Sequence, residues 1–278
     1  MIINNELSMI SNKYILIEKI GTGAFGTIYK GKNIRSEEYV AIKIESIKSG
    51  TNLLKNESTI YQYLLNINGV PKVKWFGKDE KNYYMVINLL GESLENLRLK
   101  KGLLSLKLTL QIGIQILNIL ESIHNKGLVH RDIKPENFLL GLGDNNKQLY
   151  LIDFGFSKSY LRNGQHISLG SSRSLIGTPR FASINAYKLI ELTRRDDLES
   201  LAYMLIYLHT NYLDNNAINN KINMNYDDYI YVKKNLINID TIPKVLINFL
   251  IIARKIEYNG EPDYMKMSEL LISELKLQ

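Results

Sequence analysis

Short runs rich in β-branched and aromatic residues crowd the first third of the chain. Residues 14–17, 27–29, 39–44 and 83–90 each read as a strand. Between them Leu53, Leu54, Glu57, Ile60, Tyr61, Leu64 and Leu65 recur three and four positions apart, the stripe of a helix with one buried face. Beyond residue 90 the pattern changes. Residues 106–124 are apolar almost all round, which predicts a helix enclosed by protein. Residues 197–208 repeat that pattern after a polar first turn, and 244–256 and 267–277 read as two closing helices. The elements predict an α+β chain with a small strand-rich lobe over residues 1–88 and a larger, mainly helical lobe over 89–278. There is no internal repeat and no linker to a further domain.

The polar positions between these elements carry the chemistry. Gly21-Thr22-Gly23-Ala24-Phe25-Gly26 joins the first two strands. A dinucleotide-binding turn of this spacing opens into a helix, whereas the residues from Thr27 onward continue as strand. The glycines therefore belong to a hairpin whose amides can approach phosphates without a Cβ in the way. Phe25 at the tip is either a lid over those phosphates or a packing aromatic. Lys43 ends the apolar run Val40-Ala41-Ile42, and Glu57 lies on the inward helical stripe, where an unpaired carboxylate would cost several kcal/mol. Lys43 is its natural partner, leaving the ammonium shared with nucleotide phosphates. Residues 87–90, with Asn88 and Leu90, form a hinge whose backbone can hydrogen-bond an adenine edge.

The run His130-Arg131-Asp132-Ile133-Lys134-Pro135-Glu136-Asn137 brings a carboxylate, a cation and an amide onto one loop. Those groups can position a hydroxyl, balance a phosphoryl charge and hold a divalent cation. Asp153-Phe154-Gly155 ends a short strand, and a carboxylate there suits a hard cation such as Mg²⁺, with Phe154 tucked into the core. Residues 156–185, rich in Ser, Gly and Arg, read as a long exposed segment. Asp197 can cap the next helix and receive amides from the catalytic loop.

Composition narrows the classes. At 278 residues, with 45% hydrophobic and 23% charged, the chain reads as a soluble globular protein. The absence of cysteine excludes disulfides, thiolate metal sites and cysteine nucleophiles. A net charge of +7 favours polyanions without choosing among them, and no nucleic-acid motif accompanies it. No apolar run reads as long enough to span a membrane, and residues 1–12 lack the pattern of a signal peptide. An intracellular monomer, cytoplasmic or nuclear, is expected. Plentiful Asn, Ile and Lys with little Pro is the composition of an AT-rich genome, such as a viral or protozoan one. The four histidines show no metal-ligand spacing.

Lys43, Glu57, Asp132, Asn137 and Asp153 occur in the order of the protein kinase signature set, with only Ile133 departing from the catalytic-loop pattern. From end to end the chain resembles a eukaryotic-type protein kinase, and more narrowly the casein kinase 1 family. The narrower resemblance rests on the run from Gly177 to Asn185 with its Ser183-Ile184-Asn185, on Arg194-Arg195-Asp196-Asp197-Leu198-Glu199-Ser200, on the run from Leu89 to Glu95, and on Glu261-Pro262-Asp263-Tyr264. It implies transfer of the γ-phosphoryl of ATP, with Mg²⁺, to Ser or Thr of acidic or already phosphorylated proteins, without obligatory phosphorylation of the 156–185 segment. It also implies nucleotide contacts at Ile20, Gly21, Gly23, Ala24, Gly26, Ile28, Ala41, Lys43, Asn88 and Leu90. Asp132 and Lys134 would be catalytic, Glu57 the partner of Lys43, Asn137 and Asp153 the Mg²⁺ ligands, and Arg194 part of a substrate anion pocket. A solvated basic rim, or an arginine that serves only to tether the loop, is the other reading of Arg194. Pro179 and Asn88 depart from the family pattern, and residues 208–225 replace an expected loop, with its lysines reduced to Lys221 and Lys233-Lys234. A pseudokinase that binds nucleotide or scaffolds other proteins is the rival reading, although none of its usual losses is present.

Overall fold

The computed structural model describes residues 9–23, 26–50, 52–213 and 225–278. Ala24, Phe25 and Lys221 lie outside these, with most of the 211–225 loop. The chain divides into two compact units, Met1–Gly91 with Leu140–Gly155, and Glu92–Leu139 with Phe156–Gln278.

The first unit is built on an antiparallel sheet of β1 (Met9–Ile10), β2 (Tyr14–Gly23), β3 (Gly26–Asn33), β4 (Tyr39–Ser46), β5 (Val73–Lys78) and β6 (Asn82–Asn88), in the order β1-β2-β3-β4-β6-β5. Central β4 is buried from Val40 to Lys43, on both faces, which is why its sequence is a continuous apolar run rather than an alternating one. One face packs Val40 and Ile42 against Ile10, Tyr14, Tyr84 and Val86. Helix α1 (Leu53–Tyr63) packs on β4, β5 and β6 and buries Leu54, Glu57 and Tyr61, as its stripe predicts. The stripe outlasts the helix by one residue: Leu64 is fully buried, but Leu65 is 51% exposed because the chain has left the helical phase.

The start of α1 lacks a cap of its own, and Asn52 before it is left-handed (φ 49°). Glu45, at the end of β4, supplies one. Its carboxylate accepts the amides of Leu53 at 3.3 Å and Leu54 at 2.6 Å, satisfying two of the open N–H groups at the positive end of the helix.

The second unit is helical: α2 (Leu94–Lys101), α3 (Leu106–Asn125), α4 (Ile184–Tyr187), α5 (Arg194–His209), α6 (Tyr226–Asn235), α7 (Lys244–Lys255) and α8 (Tyr264–Leu275). Every residue of α5 from Asp196 to Leu208 is buried, with α3 and α7 packed against it and α8 against α3. Its all-round apolar sequence follows from that enclosure. Helix α3 is long and apolar enough to cross a membrane by length and composition, contrary to the expectation that no run reaches that length. Half of its most apolar stretch is buried inside the protein, as in a core helix. The cap of α5 also differs from the expected one. Asp196 accepts the Thr193 amide at 2.8 Å in a capping box, which leaves Asp197 for the amides of His130 and Arg131.

Candidate active site

In the first unit the β2–β3 hairpin closes on the pair Gly23 and Gly26. Gly26 has φ 148°, and a Cβ there would lie 2.1 Å from the Ile44 carbonyl oxygen, so no other residue fits. The hairpin register sets Gly21 opposite Ile28, and Ile28 opposite Lys43; Ala41 is buried in the neighbouring strand, and Ile20 is 48% exposed. The Asn88 side chain accepts the Lys72 amide at 3.0 Å, and Asn88 and Leu90 both line a cavity of about 480 Å³ shared with Val70, Leu142 and Tyr150.

Lys43 Nζ lies 2.6 Å from Glu57 Oε2 and 3.4 Å from Asp153 Oδ1. Burial works against the Lys43 ammonium, but Glu57 and Asp153 outweigh it and hold the amine above its ordinary pKa. Burial pushes the Glu57 carboxyl up, and the attraction of Lys43 offsets this only in part. With both groups nearly dry and 2.6 Å apart, a shared ion pair centred on a protonated Lys43 satisfies both. Asp153 adopts a left-handed backbone (φ 65°), a conformation costing on the order of 1 kcal/mol or more for a non-glycine residue. It is held there by neighbours. Its amide donates to the Tyr61 hydroxyl at 3.2 Å, and the fully buried Phe154 ring packs edge-on against Tyr61 at 4.9 Å.

In the second unit the His130–Asn137 loop is suspended from α5. Asp197 accepts the His130 amide at 2.7 Å and the Arg131 amide at 2.8 Å, and His124 Nε2 lies 3.0 Å from it. Burial alone would raise the Asp197 carboxyl; the hydrogen bond and charge of His124, with the His130 amide, bring it below its ordinary value. The loop then turns Asp132 inward, 4% exposed. Asp132 Oδ1 accepts both the amide and the hydroxyl of Thr178 at 2.8 Å, and Oδ2 lies 2.7 Å from Lys134 Nζ. Lys134 also donates to the Thr178 hydroxyl at 3.0 Å. The Asn137 amide nitrogen donates to the Asp132 carbonyl at 2.9 Å, which turns its side-chain oxygen toward other partners. Gly177 (φ 92°) makes this close approach possible, since a Cβ there would meet the Arg131 carbonyl at 2.6 Å.

Basic residues of this unit are committed in ways the sequence does not announce. Arg131 Nε donates to the Phe156 carbonyl at 2.6 Å, and its Nη1 lies 3.5 Å from Glu191, whose other oxygen is 2.7 Å from Lys158. Arg194 donates to the Gly260 carbonyl at 3.0 Å and lies 4.7 Å above the Tyr160 ring, with its Nε buried and unpartnered. Lys233 is enclosed, not part of a basic surface. It donates to the Arg180 carbonyl at 2.8 Å, lies 3.8 Å above the Tyr203 ring, and is lowered by burial to about 7.

Asp132, Lys134 and Asn137 thus meet in one unit, and Lys43, Glu57 and Asp153 in the other. Thr178, Tyr61, Glu45 and Glu191 were not anticipated in these roles. Tyr61 stands on the predicted helical stripe and Thr178 within the Gly177–Asn185 run, but neither position signals the role it takes. No cluster of three or more His, Asp or Glu side chains arranged for a metal occurs among the described residues.

The strand-rich unit thus holds the Lys43–Glu57–Asp153 cluster, and the helical unit carries the loop of Asp132, Lys134 and Asn137. Residues 14–254 match the protein kinase domain, and the chain belongs to that family. Its fold is the mixed α+β kinase domain, with a β-rich lobe and a helical lobe. Such domains act on protein substrates and generally use ATP and Mg²⁺.

Proposed function

We propose that the chain is a Ser/Thr kinase of casein kinase 1 type, moving the γ-phosphoryl group of ATP to hydroxyls in acidic or already phosphorylated protein segments. The observation that carries this reading is the Thr178 hydroxyl, 2.8 Å from Asp132 and 3.0 Å from Lys134. An aliphatic hydroxyl on a Cβ already sits comfortably between these two groups, which is the chemistry an incoming Ser or Thr would present. In this reading Asp132 orients the substrate hydroxyl and accepts its proton, and Lys134 offsets charge on the moving phosphoryl group. Lys43, kept protonated by Glu57, contacts the nucleotide phosphates, with the glycine hairpin, Ile20, Ile28 and Ala41 around the nucleotide. Asp153 and the Asn137 oxygen are each hard donors of the kind Mg²⁺ takes alongside phosphates and water, and the ion, when bound, would supply charge neutralisation.

Activity without a phosphate on the 156–185 segment is supported by Glu191. Arg131, the residue that would pair with such a phosphate, already shares this carboxylate with Lys158. The substrate preference is assigned to arginines near the Gly177–Asn185 run, with Arg194 as the residue whose replacement tests it.

The deciding measurement is ³²P transfer from ATP to casein and to Ser-, Thr- and Tyr-only peptides, by the wild type and by Asp132→Ala. Transfer to Ser and Thr that vanishes in the variant is expected. Silence toward several acidic substrates in Mg²⁺ and ATP would favour the scaffold reading, and transfer to Tyr alone would overturn the Ser/Thr assignment.

A further inference from the structure

A recess of about 290 Å³ in the helical unit is lined by residues that phosphoryl transfer does not use: Lys188 after α4, Arg195 and Glu199 of α5, Lys234 of α6 and Arg254 of α7. Its charges are unevenly matched. Glu199 accepts from Arg254 Nε at 3.1 Å and from the Tyr203 hydroxyl, and Arg254 also donates to that hydroxyl and to the Lys233 carbonyl, so this pair is internally balanced. The other three cations are not. Lys188 and Lys234 are exposed and have no ion-pair partner among the described residues. Arg195 has a buried Nε without a hydrogen bond; its Nη1 donates to the Ile256 carbonyl at 3.4 Å, and its guanidinium lies 5.6 Å above the Tyr258 ring. The nearest carboxylate, Asp196 at 3.9 Å, is already engaged by Thr193, Ser183 and Asn185. Three cations converging on one recess repel each other, and an anion seated among them would relieve that repulsion.

We propose that this recess binds the phosphate of a phosphorylated Ser or Thr on a partner protein, with Arg195 gripping the group from within and Lys188 and Lys234 closing on it from the rim. Guanidinium suits the inner position because its planar donors match phosphate oxygens in pairs, and ammonium suits the rim as a mobile point charge. The recess is roomier than a bare phosphate needs, and Ile184 and Ala253 give it an apolar wall for the carbon stem of the modified residue. None of its lining residues is aromatic, so it offers no stacking surface to a nucleotide base. Binding here does not depend on phosphoryl transfer by this chain.

The test is a binding measurement without ATP. Fluorescence anisotropy would compare a degenerate peptide library with a central phosphoserine against the same library with serine, using sodium phosphate as competitor. The proteins would be the wild type, the double variant Lys188→Ala/Lys234→Ala, and Arg195→Gln. The phosphoserine library should bind the wild type at least about tenfold more tightly than the serine library, and each variant should lose about tenfold. The two lysines are exposed, so the double variant should fold normally and keep its rate on an unphosphorylated peptide. It therefore carries the test even if Arg195→Gln is unstable. Equal binding by the wild type and the lysine variant would overturn the proposal. Phosphate competing as tightly as the phosphopeptide would overturn the protein-borne assignment in favour of a free anion.

Discussion

Lys43 and Glu57 are nearly dry, and a dry ion pair tolerates the loss of one partner badly. Glu57→Gln should cost about 3 kcal/mol of stability, read by chemical denaturation, and raise the KM for ATP. A Lys43→Met/Glu57→Leu variant should recover much of that stability while remaining inactive, because apolar replacements remove the desolvation penalty together with the charge. Thr178 makes a second prediction at this scale. Thr178→Val deletes the hydroxyl between Asp132 and Lys134 and should lower kcat about tenfold or more, whereas Thr178→Ser should stay close to wild type. A loss shared equally by both variants would assign Thr178 to packing instead. Asp132, Lys134 and Asn137 were legible in the sequence because one loop carries all three. Thr178 was not, since 46 residues separate it from Asp132 and nothing local marks their meeting. The Tyr61 hydroxyl was hidden for a related reason: a tyrosine on a buried stripe reads as apolar bulk until its oxygen is found on the Asp153 amide.

Among the elements, β2, β3, β4, β6 and the long helices α1, α3, α5, α7 and α8 followed from period and composition, while β1, β5, α2 and α6 and the ends of the elements did not. Helix α1 is capped from another element, by Glu45, and no window along the helix contains that information. Glu45→Ala should destabilise the protein by about 1–2 kcal/mol, checked by denaturant titration. In α5 either of two adjacent aspartates could serve the cap; Asp196 takes the Thr193 amide, and Asp197 takes those of His130 and Arg131. The segment between Phe156 and Glu191 behaves as one element tied at both ends. Glu191 draws Lys158 and Arg131 together, and its amide donates to the Gly170 carbonyl at 2.9 Å. Glu191→Gln removes the charge but keeps the shape. It should lower kcat several-fold, with partial recovery in Glu191→Asp, while phosphatase treatment leaves the wild-type rate unchanged. A lag in the wild type that ATP pre-incubation abolishes would contradict the self-sufficient segment.

For the molecule as a whole, two buried groups give stability a pH dependence of opposite sign. Burial pushes the Asp196 carboxyl up to about 6 from 3.8, and its bonds to Thr193, Asn185 and Ser183 only partly offset this. The folded state holds that proton more tightly, so the contribution is complete below 3.8 and is lost as the pH rises through about 6. Lys233 is the reverse case. Burial lowers it from 10.5 to about 7, the unfolded chain binds the extra proton between those values, and stability therefore rises with pH across that window. The thermal midpoint should climb from about pH 7 to 9, and Lys233→Met should flatten the climb; equal slopes would place its origin elsewhere. The tether from Asp197 to the catalytic loop has its own consequence for how the protein breathes. The two amide protons it accepts, those of His130 and Arg131, end inside the most enclosed helix, so solvent reaches them only when α5 leaves its core. In deuterium exchange they should be replaced as slowly as the amides at the centre of α5, the loop keeping time with the core rather than with the surface.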